Sequence, residues 1–199
     1  GVGYPEKANL AFDANQMNIA LLWHGSFIDA GKHWNGRGQG FQPPLGDNVL
    51  SFQQAPALAL LESNDSKWPT GEIKKQGYRF LGYQLGDNRK PTFLYQLNKM
   101  RVFDFPNPEA DGGEFPALTR TLTVSSDTAE HNLFIRAVVA ANSLVTNNDG
   151  TGTVDEQWTL TVTGNIGKPV IRGKELIVPV DLSNKDKRHV ALIKIRYQW

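Results

Sequence analysis

One stretch near the amino end contains most of the residue types in this chain that could do chemistry. Residues 23–40 include two Trp, two His, one Asp, one Asn, one Arg and five Gly. Neither the two-residue period of a strand nor the 3.6-residue period of a helix runs through them. Glycine at this density lets backbone come close to another group, and aromatic and guanidinium groups are common on recognition surfaces. We therefore expect this stretch to face outward as a functional loop.

His24 and His33 are nine residues apart, with Asp29 between them. Two imidazoles and a carboxylate can bind zinc, copper or iron, which makes His24 and His33 the candidate metal ligands. Their spacing matches no established ligand motif, and the alternative is that each imidazole hydrogen-bonds to backbone within the loop. A third interpretation is that one of them is an axial ligand to a haem bound by another segment.

Trp34, Asn35 and Arg37 are the candidate ligand-binding residues of the same stretch. The C–H face of a sugar ring stacks on an indole, while amide and guanidinium groups bind the sugar hydroxyls. The alternative for Arg37 is an internal ion pair with Asp29 or Asp47, which would stabilise the loop instead of binding a ligand.

The candidate catalytic residues are His24, Asp29, His33 and Arg37. A hydrolase could pair Asp29 with Asp47 or Glu72, whereas a lyase would place a histidine base beside an arginine that neutralises charge. No motif selects these residues over others, because a chain with 20 Asp and Glu contains many such pairs by chance. The pattern therefore favours a non-catalytic role for the stretch.

The composition limits the possible partners and cofactors. A net charge of +1, from 21 Lys and Arg against 20 Asp and Glu, provides no basic field for nucleic acid. The longest apolar run, residues 55–61, is far shorter than the roughly 18 residues that span a bilayer, so we expect no membrane span. The absence of cysteine excludes disulfides, thiolate zinc sites and covalent haem attachment, and we expect no cofactor within this chain.

The strand pattern predicts the fold class. From Tyr78 onward, short segments of alternating apolar and polar residues are separated by turn residues, which is typical of an all-β domain. We predict a single domain over residues 1–199, an antiparallel β-sandwich of about ten strands with a long glycine-rich loop excursion in its N-terminal part. Because the sequence starts at Gly1 and shows no signal peptide, we expect a piece of a larger protein.

Three local predictions follow from the same pattern. Trp23 ends an apolar segment and is expected in the core, whereas Trp34 has no apolar alternation around it and is the better candidate for exposure. Residues 17–23 are predicted to form a strand, and a helical turn over residues 14–17, capped by Asp13, is the alternative left open. Residues 147–156 contain oxygen donors in a calcium-like spacing without the full motif, so a solvated hairpin loop is favoured there.

Several segments together resemble a known family. They are residues 12–13, Trp23, residues 27–29, 33–34 and 36–38, then residues 79–83, 91–93, Tyr95 and residues 118–120. These segments resemble an uncharacterised β-rich domain of large secreted planctomycete and verrucomicrobial proteins. Such proteins often also contain c-type cytochrome modules and sugar-dehydrogenase-like propellers. The resemblance implies a periplasmic or extracellular location, with any haem on neighbouring modules because this chain lacks a Cys-x-x-Cys-His motif.

We expect a non-catalytic recognition or domain-association module of a larger envelope or extracellular protein linked to redox or carbohydrate processing. Its partners would be other domains of that protein or assembly, and polysaccharide is a further candidate ligand. One alternative is a lyase-like or hydrolase-like carbohydrate-active domain that uses His24, Asp29, His33 and Arg37. Another is a structural partner of c-type haem modules in electron transfer.

Overall fold

The computed structural model describes residues 1–34, 40–109, 117–146, 151–185 and 188–199. This part of the chain is almost entirely β structure, and the pairings between its strands are antiparallel, so the all-β prediction is confirmed. Sixteen strands are present in the described residues, more than the predicted ten or so. The additional strands are mostly three or four residues long, too short to show a two-residue period in the sequence.

The strands are β1 (Ala8–Asp13), β2 (Asn18–His24), β3 (Asp47–Ser51), β4 (Leu58–Leu60), β5 (Tyr78–Leu85), β6 (Pro91–Leu97), β7 (Met100–Pro108), β8 (Ala117–Ser126), β9 (Leu133–Val139), β10 (Leu144–Thr146), β11 (Thr151–Val154), β12 (Trp158–Gly164), β13 (Val170–Arg172), β14 (Glu175–Pro179), β15 (Ser183–Lys185) and β16 (Arg188–Gln198). Two four-residue helices accompany them, α1 (Gly31–Trp34) and a 3-10 helix (Ile73–Gln76). Neither is long and apolar enough to cross a membrane, and the same holds for every helix in the described residues.

The strands form three sheets. The large sheet has the order β10-β11-β12-β16-β8-β7-β6-β5, with β15 also paired to β16. A four-stranded sheet has the order β13-β14-β9-β4, and a three-stranded sheet has the order β1-β2-β3. One core cluster contains buried side chains from all three sheets. The fold is therefore sandwich-like, with the second layer divided between two small sheets because β1, β2 and β3 pair only with one another among the described strands.

Alternation along the strands of the large sheet separates its two faces. Along β6 and β7 every second residue is buried, as expected for a sheet with one face in the core. By contrast, β9 is buried along nearly its whole length. Its outer face is covered by a second apolar cluster that includes Trp68, whose indole N–H donates to the carbonyl of Pro56 at 2.8 Å.

Two local alternatives are resolved by the hydrogen bonds. Residues 14–17 form a turn between β1 and β2, because the Asp13 carboxylate accepts the backbone N–H groups of Asn15 and Gln16. The residues at 151–154 form strand β11, so the predicted loop is shorter than expected, and residues 147–150 lie outside the described part. The Asp155 carboxylate accepts the backbone N–H groups of residues 141–143, which uses its oxygens internally.

A buried ion pair lies between the large sheet and the three-stranded sheet. The Arg120 guanidinium donates to the Asp104 carboxylate from Nε at 3.0 Å and from Nη2 at 2.6 Å, and both side chains are at most 2% exposed. Tyr95 donates its hydroxyl to the same carboxylate, and the Arg120 Nη1 reaches the Asn18 side-chain oxygen on β2. The network thus joins β6, β7 and β8 to β2 through side chains alone.

The charges of this network are compensated within the core. Burial acts to lower the pKa of Arg120, but the Asp104 carboxylate outweighs it and the pKa is raised. Burial and the Asp104 charge both raise the pKa of Tyr95, so its hydroxyl stays a neutral donor. A buried ion pair is stable only when its partners stay together, because either charge alone in the core is very costly.

Arg120→Met should lower the free energy of unfolding by about 3–5 kcal/mol, because it leaves Asp104 charged and unpaired in the core. The matched control is Arg196→Met, which breaks the pair with Glu109 at 38% and 36% exposure and should cost less than about 1 kcal/mol. Urea denaturation followed by circular dichroism measures both. Equal losses in the two variants would contradict a special role for the buried pair.

The Glu109 carboxylate should make stability depend on acid pH. Hydrogen bonds from Arg196 lower its pKa below the ordinary value of 4.5, with burial opposing and Thr119 assisting. Near that pH the unfolded chain binds more protons, so stability rises with pH and is lost as pH falls through the lowered value. Urea denaturation between about pH 6 and pH 3 should show a shallower loss for Glu109→Gln than for the wild type. Arg196→Gln should flatten the curve equally, and a wild-type slope in both variants would refute this assignment.

Candidate functional site

The N-terminal excursion comprises residues 23–46, and its first side chain is buried in the core. The Trp23 side chain is 2% exposed, and its indole N–H is shared between the carbonyls of Ser26 and Phe27 at 3.0 and 3.1 Å. The Trp23 and Phe27 rings are parallel, with centroids 5.7 Å apart. The expectation that Trp23 is a core residue is confirmed, and its contacts bind residues 26–27 to the end of β2.

The last residue of the excursion, Gly46, passes very close to the backbone of His24 near its beginning. A Cβ atom on Gly46 would lie 1.8 Å from the His24 carbonyl oxygen, so this position accepts only glycine without movement of the backbone. Further along, the backbone N–H of Leu45 donates to the Phe27 carbonyl at 3.1 Å, and Ile28 forms an isolated bridge with Pro44. The two ends of the excursion are therefore held together next to β2 and β3.

The aromatic side chains between these ends face outward. Trp34, the last residue of α1, is 85% exposed, and Phe41 is 80% exposed. Leu45 follows at 52%. We use the name aromatic surface for these three exposed side chains, the aromatic Trp34 and Phe41 together with the aliphatic Leu45. Trp34 and Phe41 are the two most exposed large hydrophobic side chains in the described residues, so the expectation of an exposed Trp34 is confirmed.

The structure describes only some of the predicted site residues. His24 is half-buried at the end of β2, with its backbone between Ala8 and Asp47. Asp29 accepts the backbone N–H of Gly31 at 3.1 Å, which positions it at the start of α1. The side chain of His33 and the whole of Asn35 and Arg37 lie outside the described part. A joint site of His24, Asp29, His33 and Arg37, and the ligand role of Asn35 and Arg37, therefore remain predictions.

The described residues contain no group of three or more His, Cys, Asp or Glu side chains that could hold a metal ion. Within the described residues, His24 and Asp29 therefore have no third His, Cys, Asp or Glu with which to hold a metal ion. The metal hypothesis rests on the His33 side chain, which lies outside this part.

Sequence reasoning missed Phe41 and Leu45. Both flank the consecutive prolines at 43 and 44, and proline lacks a backbone N–H and fixes its own φ. A segment of this kind cannot join the interior of a sheet, so its apolar side chains have few buried positions available. The Phe-Gln-Pro-Pro-Leu sequence from 41 to 45 was the signal that could have indicated their exposure.

Trp23→Ala and Trp34→Ala should differ sharply in stability. We expect Trp23→Ala to lower the free energy of unfolding by about 3–5 kcal/mol, because it removes a fully buried indole and leaves a cavity. We expect Trp34→Ala to change it by less than about 0.5 kcal/mol, because the side chain is exposed. Urea denaturation of both variants tests the assignment, and a large loss in Trp34→Ala would show that this side chain packs against the domain.

Comparison with known proteins adds one finding. Residues 10–104 match a family described as Domain of unknown function (DUF6797). The matched segment runs from β1 into β7, and it includes the whole excursion and the aromatic surface. No curated protein and no solved structure gives a significant match. The first half of this chain is thus similar to a domain family whose function is unknown.

Proposed function

We propose that this chain is a non-catalytic interaction domain that associates with another protein domain through the aromatic surface. The observation that supports the proposal is the exposure of Trp34 and Phe41, at 85% and 80%, on an excursion anchored by the buried Trp23. Large aromatic side chains are enriched among the residues that dominate protein–protein binding energies. Where exposed apolar side chains form a contiguous patch, the patch often marks a site of protein–protein contact.

The backbone of the excursion suits a docking segment. Pro43 and Pro44 restrict the chain before binding, which reduces the conformational entropy lost when a partner orders it. Leu45 adds an aliphatic side chain, which favours an apolar protein surface over a sugar as the partner. In addition, β3 is an edge strand of its sheet in the described residues, so an extended partner segment could add to it.

The partner that we propose is another domain of the same parent protein or assembly. The resemblance to large secreted proteins supports a location of such an assembly in the periplasm or outside the cell. It also suggests c-type cytochrome and sugar-dehydrogenase-like modules as neighbours, and any haem would then belong to the partner. These elements of the proposal come from the resemblance, and the aromatic surface provides the physical basis for association.

Site-specific photo-crosslinking in the native host tests the proposal. A photoreactive phenylalanine analogue replaces Trp34 or Phe41, and mass spectrometry identifies the cross-linked peptides. We expect both positions to cross-link to one protein segment outside residues 1–199. Phe41→Asp should lower the yield from position 34 roughly tenfold, because a charge in an apolar interface costs about 1.4 kcal/mol or more.

The matched control is the same analogue at Val145, which is apolar and 65% exposed on a different strand. Yields from positions 34 and 41 no higher than from position 145 would refute the proposal. Adducts with polysaccharide instead of protein would also refute it and would favour sugar recognition by Trp34. Cross-links between two copies of this chain would replace the neighbouring domain with self-association.

A further inference from the structure

A groove of 590 Å³ lies away from the aromatic surface, where the β1–β2 turn meets the start of β5. The side chains that matter in it are Asn15, Lys74, Tyr78, Arg79, Phe80 and Gln96. Its volume falls within the range of about 300–1,000 Å³ that is usual for small-molecule sites. Neither the aromatic surface nor the buried ion pair uses any of these residues.

Gly77 determines how the groove is built. The 3-10 helix ends at Gly77, which has a φ of +87° and donates its backbone N–H to the Ile73 carbonyl. The positive φ favours glycine at this position, and a Cβ atom there would lie 2.0 Å from the side-chain oxygen of Asn98, so that side chain would have to move. The turn leads directly into β5, and it brings Lys74 and Arg79 to the same groove.

The charged side chains that line the groove are both positive. Lys74 and Arg79 line it, and none of its described lining residues is Asp or Glu. Glu72, on the same helical turn, is paired instead with Lys75 at 2.6 Å. The Lys74 ammonium donates to the Asn15 side-chain oxygen at 3.1 Å. Because this acceptor is neutral, it orients the ammonium without neutralising its charge.

Aromatic and amide groups complete the lining. Tyr78 is buried and its hydroxyl donates to the Leu58 carbonyl, so the ring is fixed. Phe80 is half-buried beside it, within 5.9 Å of the Phe12 ring. Arg79 and Gln96 are directly opposite each other on β5 and β6, which places their side chains side by side on one face of the sheet. Tyr78 and Phe80, at the alternate positions of β5, face the other side, so the groove passes around the edge strand β5.

We infer that this groove binds an acidic sugar, a uronic acid residue of an oligosaccharide or polysaccharide. The Arg79 guanidinium and the Lys74 ammonium match the carboxylate, since guanidinium groups bind carboxylates through paired hydrogen bonds. On the other side of the β5 edge, the half-buried Phe80 ring can make apolar contact with the C–H side of a sugar unit, and the amides of Asn15 and Gln96 can bind hydroxyls. The inference goes beyond the proposed domain association and involves different residues.

Isothermal titration with tetragalacturonate tests the inference, and the methyl ester of the same oligosaccharide is the neutral probe. We expect the acid to bind at physiological ionic strength and the ester to bind at least about tenfold more weakly. Lys74→Gln and Arg79→Gln should each weaken binding roughly tenfold, and Arg79→Lys should retain part of the affinity.

The matched control is Lys67→Gln, which removes the same charge from an exposed side chain that does not line the groove. It should leave the affinity unchanged. No binding of tetragalacturonate, equal binding of the ester, or an equal loss in Lys67→Gln would each overturn the inference. Full competition by sodium sulfate at equal concentration would reduce the groove to a nonspecific anion site and would also overturn it.

Discussion

The Arg120–Asp104 pair is the constraint on which the arrangement of the layers depends. Two opposite charges lie in the core at 2% exposure or less, and neither can be left without the other. Their hydrogen-bond partners, Tyr95 and Asn18, come from β6 and β2. Because the Asn18 amide also donates to the Ala55 carbonyl, the network fixes where the three-stranded sheet sits on the large one. Apolar contacts are not directional, whereas these hydrogen bonds fix particular atoms of the two sheets against each other.

The position of the β1–β2 hairpin in turn determines where both candidate surfaces lie. Asn15, in the turn before β2, lines the groove, whereas His24, at the other end of β2, adjoins the excursion that displays Trp34. A seven-residue strand is roughly 20 Å long, so the two surfaces are well separated. One short hairpin, held in place by a buried ion pair, thus supports the proposed docking surface at one end and part of the proposed ligand groove at the other.

The sequence predicts the all-β class of the fold well. It does not predict that the second layer divides into two small sheets. The alternating segments that form β6, β7 and β8 become neighbouring strands of the large sheet, because one face of each is buried and the other is not. The split of the second layer depends on which strands pair, and short strands such as β4 and β13 have no periodicity to show it. Trp23 and Trp34 were distinguishable from their neighbours in the sequence. The groove was not, because its residues meet only when a turn, a helix end and two strands come together.

The central position of β16 in the large sheet affects the order in which the strands can pair during folding. Residues 188–198 form a strand between β8 and β12, in the middle of the sheet and not at its edge. During synthesis, β5 to β8 emerge from the ribosome long before the strand that joins them to β10–β12. Until it arrives, β8 presents a full row of unpaired backbone groups, which is a template for wrong pairings. Closure of the sheet then joins positions 63 to 81 residues apart, from His189 with Ser126 to Gln198 with Ala117. Pairing over such separations favours slow folding and gives chaperones time to act.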